Sequence, residues 1–188
     1  MTSKKAAVLG LCSLLLGACQ ALTSLETPGD WSMVRVPVGL NAWLPCIPVE
    51  KSDDQTQKPG NRKFECRAGK VLIRVLLYGS GTGYNLEKGA AGFERALKKA
   101  AERDGAQVDH HQTQVTVSGL PAIRMTTSLS LKLERSKIDG ILVSDGKKGW
   151  LIDVIYPSLI SSSMEPQLTK LFQTVEVKAP GAGSPSRE

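Results

Sequence analysis

The stretch Ile123-Arg-Met-Thr-Thr-Ser-Leu-Ser-Leu-Lys-Leu133 alternates without a break. Ile123, Met125, Thr127, Leu129, Leu131 and Leu133 fall on one side, and Arg124, Thr126, Ser128, Ser130 and Lys132 on the other. A period of two over this length is a long β-strand with one side buried and the other wet. Such a strand needs partners, and the flanking sequence supplies them. Downstream, Asp139–Ser144 and Gly149–Tyr156 read as two strands joined by Asp145-Gly146-Lys147-Lys148, where Asp-Gly signals a hairpin. Upstream, Gln107–Val117 reads as a strand that turns at Gly119-Leu-Pro121.

Further upstream the period changes. From Asn85 to Arg103, the residues Leu86, Ala90, Phe93, Leu97 and Ala100 recur at spacings of four and three, and Gly105 stands where a helix stops. Gly89 and Gly92 each weaken that helix by ~1 kcal/mol, in exchange for letting its backbone lie close to a sheet. Before it, Lys70–Tyr78 places Val71, Ile73, Val75 and Leu77 on one face and Leu72, Arg74, Leu76 and Tyr78 on the other. Both faces are largely apolar, which predicts a central strand covered on both sides. Trp31–Val38, Ala42–Val49 and Phe64–Ala68 read as shorter strands, and Met164–Thr174 as a last helix burying Leu168, Leu171 and Phe172. Strands joined by hairpins, with one helix midway and one at the end, predict an α+β fold: an antiparallel β-sheet with two main helices.

The first residues carry an address. Lys4-Lys5 precede the apolar run Ala6–Leu16, which closes on Gly17-Ala18. This is a positive n-region and an h-region of signal-peptide length, too short to span a bilayer core of ~30 Å. Leu16-Gly17-Ala18-Cys19 resembles the lipobox of bacterial lipoproteins. The resemblance implies cleavage between Ala18 and Cys19, acylation of Cys19, and, with Gln20 rather than Asp next, an outer-membrane destination facing the periplasm. Residues 1–18 are then the signal peptide, 19–30 the acylated cysteine and tether, 31–177 one α+β domain, and 178–188 a Pro/Gly/Ser-rich tail of disordered composition. The tether is short: the residues from Gln20 to Asp30 reach under ~40 Å fully extended.

Cleavage also revises the charge. The whole chain of 188 residues has 24 Lys and Arg against 18 Asp and Glu, but Lys4 and Lys5 leave with the signal, and the net +6 becomes +4. The remaining basic residues are dispersed and are not interleaved with aromatics, which argues against nucleic acid. Of four cysteines, Cys12 is discarded and Cys19 acylated, leaving Cys46 and Cys66 to pair in an oxidising compartment. A hairpin centred near Thr56 places these two opposite each other at a separation that suits a disulfide.

The order of elements resembles the PsbP-like superfamily, which includes small bacterial lipoproteins, some of the DcrB type. The residues carrying the likeness are Val36-Pro37, Trp43-Leu-Pro-Cys-Ile-Pro48, Val71–Tyr78, Gly119-Leu-Pro-Ala-Ile-Arg124, Trp150–Pro157 and Leu171-Phe172. It implies an α/β/α sandwich and a role in binding or assembly rather than catalysis.

Few residues fall in a pattern that carries chemistry. Gly79-Ser-Gly-Thr-Gly83-Tyr84 sits between a strand and a helix, but Tyr84 occupies the third glycine position of a dinucleotide loop and no Gly-Lys-Ser/Thr follows. Asp109 and His111 share a strand face while His110 points away, too few ligands for a metal site. Asp53-Asp54 lie in a polar loop, and Ser161-Ser-Ser163 lacks a nucleophile motif. The expectation is a lipid-anchored, non-catalytic envelope module with no cofactor and an unidentified envelope protein partner. Its working surface is the Glu50–Lys63 loop, the Gly79–Tyr84 turn, or both. The alternatives are a small-ligand or metal carrier, and a hydrolase using Asp109, His110 or His111.

Overall fold

Val71–Gly79 (β5) is the hinge of the architecture, because both of its faces must leave water. The computed structural model, which describes residues 28–52, 59–79 and 83–178, pairs it on both sides. Arg62–Ala68 (β4) lies along one edge of β5 and Lys148–Pro157 (β9) along the other. From β9 the sheet continues through Glu134–Ser144 (β8), Leu120–Leu131 (β7) and Gln107–Val117 (β6), and beyond β4 it ends at Val49–Lys51 (β3). All six pairings in this seven-stranded sheet are antiparallel. A second sheet of three strands holds Ser32–Val36 (β1), Leu40–Leu44 (β2) and Glu176–Val177 (β10).

Each face of the large sheet has its own cover. Leu76, Ile123, Met125, Leu142 and Leu151 meet Ala90 of the helix Leu86–Asp104 (α1), while Leu97 meets Leu129 and Ile138. The helix starts at Asn85, whose side chain accepts a 2.7 Å hydrogen bond from the Lys88 amide, and stops at Gly105 in the left-handed region. On the opposite face Val71, Ile73, Val75, Ile141, Val143, Trp150, Ile152 and Val154 pack against the small sheet and the helix Ser161–Thr174 (α2). Lys170 lies 3.3 Å from the Trp43 ring centroid and Trp43 Nε1 donates to Gln167 at 3.1 Å, which fixes α2 along β2. The fold is therefore α+β, with an antiparallel sheet between helix layers, as the periodicities require.

The boundaries differ from the sequence reading at several turns. The first strand ends at Val36, and Pro37–Gly39 reverses the chain into β2, so the strand expected from Ala42 to Val49 is two pieces separated by a bend at Pro45-Cys46. Pro121 lies within β7 rather than in a turn, because Ser118 and Gly119 take positive φ and make the reversal themselves. The alternating stretch does not run to Leu133 as one strand: β7 ends at Leu131, Lys132 turns at φ 53°, and Leu133 is fully exposed. β8 accordingly begins five residues before Asp139. The last helix begins at Ser161 after a 3₁₀ turn at Ser158–Ile160, three residues before Met164.

Cys46 and Cys66 are joined by a disulfide, with Cα atoms 5.9 Å apart. They are not opposite each other in a ladder. The register sets Val49 against Glu65, and Cys46 lies outside any strand, in the bend that leaves β2. The bond therefore ties the exit of the small sheet to β4 of the large one.

Candidate functional site

A cavity of about 310 Å³ lies between α1 and the large sheet. Its floor comes from the face of β5 and β9 that holds Arg74, Leu76, Leu151 and Asp153, and its roof from Gly89, Gly92, Phe93 and Ala96. Tyr78, Tyr84 and Lys88 complete one side. The volume is at the small end of the range of about 300–1,000 Å³ for small-molecule sites.

Register explains the floor. β5 and β9 pair Arg74 directly with Asp153, so both side chains rise on the α1 side. Arg74 Nε and Nη2 donate to the two carboxylate oxygens at 2.8 and 2.7 Å, a bidentate pair with side chains 5% and 0% exposed. Across β8 the neighbour of Asp153 is Gly140, where a Cβ would stand 3.5 Å from that of Asp153 and 3.1 Å from the Ile152 carbonyl oxygen. Burial alone would make Arg74 easier to deprotonate, but the Asp153 carboxylate more than reverses this, and the guanidinium is held charged. Nη1 takes no part in the pair.

The glycines of the roof have separate uses. Tyr84 packs so tightly that a Cβ on Gly89 would overlap its hydroxyl and one on Gly149 its ring. Tyr84 also stacks on Tyr78 with centroids 5.7 Å apart. Gly92 has space instead: a Cβ there would meet only Arg95 Nη2, at 3.9 Å. Burial pushes the Tyr84 phenol up to about 12 and Tyr78 higher still. With two phenols that stay protonated and a guanidinium that stays charged, this cavity offers hydrogen-bond donors between apolar walls.

The residues singled out in the sequence do not assemble there, with the exception of Tyr84. Ala18, Cys19, Asp53 and Asp54 lie outside the described residues, as do 80–82 of the glycine-rich turn and 179–188 of the tail. Of the Glu50–Lys63 loop, Glu50 and Arg62 form a bidentate pair at 2.8 and 2.7 Å on the exposed surface. Gly79 is held by Asn61 Oδ1, which accepts from its amide at 3.1 Å. Asp109 and His111 are 3.2 Å apart on β6 with side chains 72% and 75% exposed. His110 faces the other way, bonded through Nδ1 to Thr127 Oγ1 at 2.7 Å, and burial lowers its pKa. Asp109 and His111 thus face solvent on an edge strand, and none of the three lines the cavity under α1. Among the described residues no group of three or more His, Cys, Asp or Glu side chains could hold a metal ion. Ser161 receives the Lys137 ammonium at 2.7 Å.

Sequence reasoning missed the cavity because Arg74 and Asp153 are 79 residues apart. The only signal was a charged residue on each of two otherwise apolar strands, Arg74 in Val71–Tyr78 and Asp153 in Trp150–Tyr156.

The two-sheet, two-helix arrangement is the PsbP-like fold. The chain is similar to the cyanobacterial PsbP (CyanoP) of Synechocystis sp. PCC 6803, with a TM-score of 0.56 and 11% identity over 84% of this chain and 99% of that one. It is also aligned with PA94 of Pseudomonas aeruginosa (TM-score 0.46, 12% identity, 81% and 99% covered). A third structure is LpqN of Mycobacterium tuberculosis, described as involved in cell envelope biogenesis (0.40, 12%, 83% of each chain). No family model matches the chain, and no curated protein matches it.

Proposed function

We propose that the protein is a lipid-anchored module of the bacterial envelope that binds rather than catalyses. The observation that carries this reading is Leu16-Gly17-Ala18-Cys19 closing directly on an apolar h-region. The Cys46–Cys66 disulfide supports it, because such bonds persist outside the cytosol. Among the described residues no helix is long and apolar enough to cross a membrane. On this reading three acyl chains on Cys19 hold the protein at the bilayer. Radiolabelled palmitate is expected to enter the wild type and not Cys19→Ala; equal labelling of the two removes the anchor from the account.

A carrier of a small molecule is the second reading, favoured by the cavity under α1. Gly92→Leu extends a side chain where space is open and replaces a poor helix former, so the variant keeps or gains stability. Indole, p-cresol and benzoate are suitable probes of an apolar site with phenol and guanidinium donors. At least one is expected to raise the melting temperature of the wild type and to leave Gly92→Leu unmoved. Shifts of equal size in both proteins, or none in either, reject the carrier.

A further inference from the structure

Leu133 is 100% exposed and Leu159 is 81% exposed, and both border the same shallow depression on the surface. An isolated exposed leucine is ordinary. Two at one place, each at the tip of a turn, are not. Leu133 follows the positive-φ residue Lys132 between β7 and β8, and Leu159 is the middle residue of the 3₁₀ turn before α2. Neither turn needs an apolar residue there for the core. The same depression is bordered by Lys70, Lys132 and Arg135 against one carboxylate, Glu134.

The topology puts this patch where the chain enters the fold. α2 starts at Ser161, beside the patch, and runs away from it to Thr174, after which β10 pairs with Leu40 and Asn41. The Leu40 end of β2 is therefore distal, and β2 approaches the patch as it runs past Gln167 and Lys170 to Leu44. Ser32 lies opposite Leu44 in the β1–β2 register, so residues 28–31 arrive at the end of the molecule that carries Leu133 and Leu159. Trp31, buried at this entry, fixes the point from which the tether departs. The Gly69-Lys70 turn is at the same end, between Ala68 and Val71.

We propose that this end docks on an anionic bilayer, with Leu133 and Leu159 inserted at the headgroup level and Lys70, Lys132 and Arg135 on lipid phosphates. The proposal rests on the lipid-anchor reading, which confines the body to within ~40 Å of the membrane but leaves its orientation free. Lysine stems can lie along the apolar tips while their ammonium groups reach the phosphates. Three cations against one carboxylate match a negatively charged surface, and each cation near such a surface strengthens binding about fivefold at moderate ionic strength.

The test uses the mature acylated chain reconstituted in phosphatidylcholine vesicles with and without phosphatidylglycerol, carrying brominated acyl chains that quench tryptophan. Leu133→Trp reports on the proposed face, and Lys147→Trp, in the turn between β8 and β9 at the opposite end, is the control. Quenching of Trp emission above the wild-type background is expected at 133 and not at 147. It should depend on phosphatidylglycerol, and fall when Lys70→Gln, Lys132→Asn and Arg135→Gln are combined; Asn suits the positive φ at 132. Equal quenching at both positions, or a tryptophan at 133 open to aqueous iodide, overturns the proposal and returns the patch to a protein partner. A wild type that fails to float with the vesicles instead defeats the anchor, a result separate from the orientation.

Discussion

Asp153→Ala lowers the stability of the fold by about 3–5 kcal/mol in urea unfolding, the range for stranding one charge of a buried pair. Asp153 is wholly buried and its two oxygens take both donated hydrogen bonds from Arg74, which is itself 4% exposed. Removing the carboxylate leaves a guanidinium that remains charged, facing Leu76, Leu151 and the α1 side of the sheet. The reverse truncation, Arg74→Ala, strands the carboxylate and belongs to the same range. Replacing both partners together, with Arg74→Met and Asp153→Leu, is expected to recover most of the loss, since the desolvation of two ions disappears along with their attraction. A double-mutant cycle through Arg74→Met, Asp153→Leu and the variant with both therefore shows a coupling energy close to the sum of the two single-mutant losses. A loss below about 1 kcal/mol for Asp153→Ala means that the cavity hydrates the stranded guanidinium, and the pair is then not a structural element of the floor.

The pair also marks the limit of what was legible in the sequence. Local period and turn chemistry reveal individual strands and helices, and they reveal both faces of β5 correctly: Val71, Ile73 and Val75 meet the small sheet and α2, while Leu76 meets α1. They do not reveal which strands become neighbours across long intervals of chain, and the meeting of Arg74 with Asp153 depends on exactly that. Leu133 shows a second limit. It continues the alternation of Leu129 and Leu131 perfectly, yet a turn at Lys132 carries it into solvent, because period two describes a strand only while the backbone stays extended. Gly89 and Gly92 show a third. Both read as places where α1 could approach the sheet, but Gly89 makes room for the Tyr84 ring and Gly92 leaves the cavity open. A missing side chain allows close packing or empty space, and the choice between them is made by residues elsewhere in the chain.

Removing the disulfide, by Cys46→Ala with Cys66→Ala, is expected to cost about 3 kcal/mol, from the loop closed by a separation of 20 residues in the chain-entropy account. For a body of this size that corresponds to a fall in melting temperature of roughly 6–12 °C. The loss should be uneven across the structure, because the bond joins the bend after β2 to β4 and so links the two sheets at one end. At the other end the sheets remain connected through Trp150 Nε1, which donates to the Val38 carbonyl oxygen at 2.9 Å, and through Arg62 Nη1, which donates to the Pro37 carbonyl oxygen at 3.0 Å. Amide exchange should therefore accelerate most at Ser32, Met33, Trp43 and Leu44, at the disulfide end of the β1–β2 ladder, and least in β8 and β9 at the centre of the large sheet. A uniform acceleration would show that the bond acts only through the unfolded chain. Confinement to β1 and β2 shows that it holds the small sheet against the large one at the end where residues 28–31 enter the fold.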